Sequence, residues 1–550
     1  MAGRVNKERC EYYRKAGLWS DRTLLDYWND AVTKWGEREY VVDDLGRRLT
    51  YAAFDQEADI LAGWMQEQGI GTGDMVSLQC TPRAEFVITV VACLKLGAVI
   101  VPMKMRTGAE EWVKMMQQIR SKMHFCMSIY HGDQMNEFVK SCENKLDFPI
   151  INVYIGGDSK DEFLFDDILK LEKREVPFPG VQADDVAVIL FTSGTTKGSR
   201  GVLLTHNNII SSEQIFNRQL KFNENDAIFM PAPLSHATGF HHGIVSPLLY
   251  GGRLVVLEHY APAAAMEMMK QEKCTYSMGA TPFLYDYIKL MDQGVGKPES
   301  LKFYICGGAP VSHEIINHAW NKYQFIVCEC YGSTESVPHI LVPPEMAVEI
   351  GGSFSGVAPE EIEVRVVDEY GKDVKPGEVG EEISRGPNVF IGYLGDEEST
   401  NLAIDEDGWY YSGDLCYSDG NGWIKICGRK KDIIVRGGEN LNINEIEANL
   451  LGCPGVAKAA VVGMKDERLG ERVCAFIVPE TGMPLVTKED IVSYLMSRKV
   501  SKWLWPERIE YIEDLFYTDS GKIKRYLLLQ ELERRMENEA KKTESEVAGA

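Results

Sequence analysis

In the stretch Val186-Ala187-Val188-Ile189-Leu190-Phe191-Thr192-Ser193-Gly194-Thr195-Thr196-Lys197-Gly198-Ser199-Arg200-Gly201, six apolar residues run straight into ten small, hydroxylated or basic ones. The apolar half has the length and β-prone composition of a buried strand. The polar half holds three glycines, two cations and five hydroxyls. Small residues expose main-chain N–H groups, hydroxyls donate to phosphate oxygens, and the cations offset phosphate charge. A Walker loop is excluded, because the order G-x-x-x-x-G-K-[ST] is missing. Composition alone leaves two readings, a phosphate-binding loop or a flexible surface turn.

Outward from this strand, short β-rich runs alternate with helical patterns. Residues 75–80 read as a strand, 85–96 as a helix and 98–102 as a strand, and 253–257 and 303–306 continue the series. Strands separated by helical segments predict α/β layers. Near Glu363 the texture changes: 363–368, 380–385 and 422–427 are short strands between Gly and Asp turns, which predicts an antiparallel β-rich subdomain. The charged run Gly428-Arg429-Lys430-Lys431-Asp432 marks a domain junction. Beyond it, 444–450 and 490–496 read as helices and 459–462 as a strand. The fold class expected is α/β, with a large N-terminal α/β domain (1–428), a hinge (429–433), a small mobile α+β C-terminal domain (434–535) and a frayed tail (536–550).

At 550 residues the chain is too long for one hydrophobic core. A net charge of −23 excludes nonspecific nucleic-acid binding, although a local basic pocket can still hold an anion. The most apolar run, 86–103, is broken by Lys95 and is too short to span a membrane. The first nineteen residues are charged throughout, with no secretory core. Thirteen cysteines lack metal-site spacing and read as free thiols of a cytoplasmic protein.

The loop at 192–201 resembles the phosphate-binding signature of the adenylate-forming superfamily, which includes acyl-CoA synthetases, luciferases and peptide-synthetase adenylation domains. That signature reads Thr-Ser-Gly-Thr-Thr-Gly, any residue, Pro-Lys-Gly. Here Lys197 replaces the sixth position's Gly, Ser199 the Pro and Arg200 the Lys, which keeps the charge but not the ammonium geometry. Further motifs follow in the family's order, and the resemblance runs from about residue 20 to 535. It implies that Gly308, Ala309 and Pro310 pack on adenine. It implies that Tyr331 stacks near adenine beside Gly332, that Thr334 meets phosphate and that Glu335 holds magnesium. It implies that Asp414 accepts both ribose hydroxyls, with Arg429 beside them. Thr192, Ser193, Gly194, Thr195, Thr196, Lys197 and Arg200 form the phosphate loop. Read singly, Asp414 is a turn residue, Glu335 a helix cap and Tyr331 a core aromatic; the joint pattern carries the nucleotide reading.

The same resemblance implies a C-terminal domain that turns between two half-reactions about a hinge at Lys431. In Thr518-Asp519-Ser520-Gly521-Lys522, Lys522 would reach the attacking carboxylate and the α-phosphate, where a cation stabilises growing charge. Gly437 and Gly438 would line the pantetheine route in the second pose.

For the acid, His236 resembles the position that separates the carboxylate site from the acyl site. Phe240, Met278, Gly279 and Phe283 supply apolar walls, with Gly279 leaving room, and no Asp or Arg there awaits an amino group. An apolar monocarboxylate fits best. The wider pattern resembles bacterial short- and medium-chain fatty acyl-CoA synthetases and, more distantly, carnitine-CoA and cyclohexanecarboxylate-CoA ligases. His241 and His242 suggest zinc but lack a third spaced ligand. The expected cofactors are ATP, Mg2+ and coenzyme A, and the expected partners are a small carboxylic acid and free coenzyme A, with a homodimer as an open assembly state. The rival reading is an acyl-adenylating enzyme that loads a separate carrier protein; alicyclic or aromatic acids are alternative substrates.

Overall fold

The run 86–103 resolves into a helix, Ala84–Leu96, and a strand, Val99–Pro102. Every residue of that helix except Lys95 is buried. Lys95 answers Asp55 and Asp59 at 2.6 and 2.7 Å, so the cation that breaks the apolar run is paired. Gly97 ends the helix at φ +67°, and a Cβ there would lie 2.4 Å from Val181 Cγ2. Backbone angle and space both demand glycine. The strand then pairs in parallel with Met75–Gln79, closing a βαβ unit.

The computed structural model describes residues 6–157, 163–177, 179–192, 199–308, 311–430, 433–436, 439–466, 468–517 and 523–548. The chain forms two compact units. One comprises Met1–Arg365, Ile383–Ser412 and Gly422–Ile424; the other comprises Val366–Glu382, Gly413–Asn421 and Lys425–Ala550.

Two large sheets have strands in the first unit. In one, the strand order is Gly392–Tyr393, Arg200–Thr205, Val186–Thr192, Val99–Pro102, Met75–Gln79, Met123–Met127, Ile151–Ile155 and Phe163–Leu164. In the other, Ile326–Ser333, Phe303–Gly307, Tyr276–Gly279, Ala227–Phe229, Arg253–Val256 and Glu39–Asp43 run parallel in that order. Ser336–Leu341 adds antiparallel beside the first of these and Arg48–Thr50 beside the last. Strands buried on both faces explain why their sequences are apolar runs instead of alternations.

The second unit is built on strands Glu439–Asn442, Ile433–Arg436, Gly470–Pro479 and Val456–Asp466, with Arg508–Tyr511 parallel to Gly470–Pro479. Residues alternate between two cores. Val461, Val473, Ala475 and Ile477 pack with Ile446, Leu450, Ile491 and Leu495. Ala460, Val462, Cys474 and Phe476 pack with Leu528 and Leu532. Helices Ile443–Leu451 and Lys488–Ser497 therefore cover one face and helix Arg525–Ala548 the other. That last helix continues through most of the stretch expected to fray. Mixed α/β layers with a separate C-terminal unit are the fold class that the alternating pattern predicts.

Helix His206–Leu220, which backs the site described next, starts at a capping box. Thr205 Oγ1 accepts from Asn208 N at 3.2 Å, and the Asn208 side chain accepts from Thr205 N, also at 3.2 Å. Thr205→Ala is expected to cost about 1 kcal/mol, read as a lowered thermal midpoint, while Thr205→Ser keeps the cap and the wild-type midpoint.

Candidate active site

Strands Val186–Thr192 and Arg200–Thr205 are antiparallel arms, with Phe191 opposite Gly201 and Thr192 opposite Arg200. Thr192 Oγ1 donates to the Arg200 carbonyl at 3.4 Å. Gly201 is required by space, since a Cβ would sit 2.9 Å from Ile189 Cγ2. Ser193, Gly194, Thr195, Thr196 and Lys197, which connect the arms, lie outside the described residues.

Arg200 is the start of a chain of contacts. Its guanidinium lies 4.5 Å over the Tyr393 ring, a cation–π distance. The Tyr393 hydroxyl donates to Glu335 Oε1 at 2.8 Å, and Glu335 is only 8% exposed. Tyr393 stands on the strand that edges the loop's return arm, opposite Val202. Burial, with the Glu335 charge beside it, pushes the phenol far above its ordinary range, so it remains a donor at neutral pH. The expected phosphate cation and the expected metal carboxylate are thereby brought together by a residue that sequence reading missed. The signal was faint: a Tyr after Gly392, 58 residues from its partner.

Strands Ile326–Ser333 and Ser336–Leu341 form a hairpin whose register shifts between Tyr331 and Ser333. Thr334 and Glu335 occupy the turn. Tyr331 is half-buried and meets the His339 ring edge-on at 5.0 Å. Gly332 is packed tightly, as a Cβ would lie 2.9 Å from the Ser336 carbonyl. Gly308 follows strand Phe303–Gly307 at φ +88°. Ala309 and Pro310 lie outside the described residues, but the next residue is tethered: Glu329 Oε1 accepts from Val311 N at 3.3 Å and its Oε2 from Gly352 N at 2.9 Å. Glu329 was also missed, although a carboxylate between Cys328 and Cys330 in an apolar strand is itself a signal.

In the second unit, Asp414 is buried and Arg429 Nε stands 3.0 Å from its Oδ1. Lys430 N donates to the Gly413 carbonyl at 2.8 Å, and Glu381 meets both Gly413 N and Lys430 Nζ. The Gly413-Asp414 turn and the 429–430 segment are thus one local structure. Lys431, Gly437, Gly438 and Lys522 lie outside the described residues; the flanks of the last, Tyr517 and Ile523, form a bridge.

Among the residues expected to meet the acid, His236 Nδ1 accepts from Thr238 N at 3.2 Å, which leaves the other ring nitrogen to carry the proton of the neutral form. A π-helix, Thr238–Val245, follows. Phe240 and Met278 share one apolar cluster, while Phe283 packs against the neighbouring one and on Tyr260 at 4.7 Å. The space over Gly279 is filled, since a Cβ there would be 2.8 Å from Phe283 Cδ2. His241 and His242 do find a third group, Glu213, but as a hydrogen-bond acceptor at 2.9 Å from His242; among the described residues no cluster is arranged to hold a metal ion.

The first unit thus carries a cation and a buried carboxylate joined through Tyr393, and the second a buried Asp414 paired with a half-exposed Arg429, on an α/β fold. The sequence of the AMP-binding enzyme family matches residues 28–394, and that of the AMP-binding enzyme C-terminal domain matches 445–522. The chain belongs to the AMP-binding enzyme family. It is 39% identical to the medium-chain fatty-acid–CoA ligase of Escherichia coli, over 96% of this chain and 94% of that one. It is 28% identical to the 2,3-dihydroxybenzoate-AMP ligase of Bacillus subtilis, over 96% and 97% of the two chains. Its fold matches ATP-bound MatB from Rhodopseudomonas palustris with a TM-score of 0.82 at 24% identity, over 92% of this chain and 98% of that one.

Tyr393→Phe removes the hydroxyl that serves Glu335. Leaving a buried carboxylate short of a charge-assisted bond costs about 1.5–3 kcal/mol, so the variant's thermal midpoint should fall while Tyr410→Phe, whose partner is the neutral Ser333 hydroxyl at 3.1 Å, should fall less.

Proposed function

We propose that this chain is an ATP- and magnesium-dependent, AMP-forming acyl-CoA synthetase that converts short- or medium-chain fatty acids to acyl-CoA through acyl-AMP. The observation that carries the reading is the Arg200–Tyr393–Glu335 chain of contacts, which links the cation at the start of the loop's return arm to the carboxylate in the turn of the 326–341 hairpin. The likeness to the Escherichia coli ligase over nearly the whole length supports the acid class.

Glu335 suits magnesium. It is a single buried carboxylate, and this ion takes most of its ligands from phosphate oxygens and water. When bound, magnesium neutralises phosphate charge. The chain's own groups do the rest. Thr192, Ser193, Gly194, Thr195, Thr196, Lys197 and Arg200 hold the phosphates, with Thr334 beside them. Gly308, Ala309, Pro310, Tyr331 and Gly332 hold adenine. Asp414, paired with Arg429, accepts the ribose hydroxyls. His236 orients the carboxylate, and Phe240, Met278, Gly279 and Phe283 bound the acyl chain. A carboxylate oxygen bonds to the α-phosphorus as its bond to the leaving oxygen breaks and pyrophosphate departs. Lys522 offsets the charge that develops. The C-terminal domain (434–535) then turns about Lys431 against residues 1–428, and Gly437 and Gly438 admit pantetheine. The thiol loses its proton, its sulfur bonds to the carbonyl carbon, and AMP leaves. Thirteen free thiols suit a reducing compartment, and the reading assigns the enzyme to the cytoplasm, as a monomer or homodimer.

Incubation with ATP, magnesium and acids from butanoate to decanoate should release pyrophosphate, and free coenzyme A should convert acyl-AMP to acyl-CoA. Acyl-AMP that persists with coenzyme A, but is consumed by a carrier-protein thiol, supports the carrier-loading rival; exclusive use of amino acids overturns the acid class. Lys522→Ala should slow adenylate formation by about 10² to 10³ while transfer from supplied acyl-AMP survives. Equal loss of both steps argues against the rotation.

A further inference from the structure

The π-helix Thr238–Val245 carries two adjacent buried imidazoles, His241 and His242, each 2% exposed, and they face one carboxylate, Glu213, which is fully buried on helix His206–Leu220. His242 Nδ1 is 2.9 Å from Glu213 Oε2. His241 Nδ1 stands 3.5 Å from Oε1, outside hydrogen-bond geometry, and Ser212 Oγ lies 3.2 Å from the same oxygen. The carboxylate's fork thus serves both imidazoles, with His242 as the clamp. The Phe216 ring lies tilted against His242 with centroids 4.3 Å apart.

A carboxylate removed from water has to be met by donors, and such a pairing adds little net stability over a well-packed apolar substitute. What it fixes is geometry, because the charge tolerates only one arrangement of its donors. Here that arrangement selects a wide turn. π-turns are uncommon and recur at functional sites. This one is seated with no slack: a Cβ on Gly239 would lie 2.2 Å from the Pro233 carbonyl, and Phe240 N donates to the His236 carbonyl at 2.8 Å. A shift of the π-helix therefore moves Phe240 and His236 together. On the other side, Ser212 Oγ donates to the Val337 carbonyl, two residues beyond Glu335.

We infer that Glu213 is a positioning residue for the acid-binding wall, acting through His242 and His241 on the π-helix that carries Phe240. The inference rests on the acid-site reading of His236 and Phe240 given above. Glu213 touches neither acid nor nucleotide; it sets where the wall stands, and so it governs the fit of the acid rather than that of ATP.

The test uses the full chain with octanoate, measuring KM for acid and for ATP, kcat and the thermal midpoint. Glu213→Leu and His242→Leu should raise KM for octanoate about tenfold to a hundredfold, with KM for ATP within about twofold. Glu213→Gln, which keeps an acceptor for His242, and His242→Asn, which keeps a donor for Glu213, should restore most of the acid affinity. A purely structural brace would lower the midpoint and disturb both KM values in proportion, and that result overturns the inference. So does an unchanged acid KM in the leucine variants, or failure of both conservative variants to rescue. If Glu213→Leu does not fold, the His242→Leu and His242→Asn pair decides. If the wild-type enzyme ignores fatty acids and activates another acid, the functional reading fails, and the same KM split measured with that acid still tests Glu213.

Discussion

A carboxylate taken out of water must be met by donors, and three such carboxylates organise the interior of the larger unit. Glu213, Glu329 and Glu335 are 0, 4 and 8% exposed. Each is answered from a different part of the chain: Glu213 by the π-helix, Glu329 by Val311 and Gly352, Glu335 by Tyr393. An unmet carboxylate in these positions would cost several kcal/mol, so each pairing selects one arrangement of its segments and rejects near alternatives. The segments tied this way are the ones expected to meet acid, adenine and phosphate. Apolar packing holds the sheets together, but it tolerates repacking; the buried charges do not.

What was legible in the chain was whatever has a local cause. The strand 186–192, the helix 84–96 and the strand 99–102 follow from apolar runs, and Gly97 from the need to leave a helix. The hairpin at 326–341 and the turn holding Thr334 and Glu335 stand where the quoted motif lies. The contacts that assemble the site were not legible, because nothing local encodes them. Tyr393 finds Glu335 across 58 residues, and Glu213 finds His242 across 29. The two histidines were noticed, yet their third group sits on the preceding helix and reads there as one more polar residue. Likewise Gly279 suggested room, but Phe283, four residues on, turns back over it within the first helical turn.

The smaller unit obeys a different economy. It has few residues with which to bury a sheet, and it covers both faces, so that Val456–Asp466 and Gly470–Pro479 feed alternate side chains into two cores. Strand period then fixes register strongly, since a slip by one residue would exchange the two cores. Each face of these two strands is thereby held by its own apolar cluster.

A charged cluster behind the proposed apolar acid site looks contradictory, but its pairing removes the difficulty. Burial by itself would raise the Glu213 carboxyl; the facing imidazoles, His242 first, outweigh that and hold it down to about 2, so the carboxylate stays ionised. The carboxylate's own donors lie within a few ångströms, with His242 Nδ1 at 2.9 Å and Ser212 Oγ at 3.2 Å. The Phe216 ring packs tilted against His242. Phe240, in contrast, belongs to the continuous apolar cluster with Met278. In the acid site proposed above, such a wall would offer hydrocarbon to the acid while the Glu213 cluster braces its backbone from behind. Each methylene of the acid then gains only about 0.8 kcal/mol on burial, which gives graded preference among chain lengths. Sharp rejection comes only where the wall cannot move, and immobility is what an apolar wall lacks unless something polar fixes it.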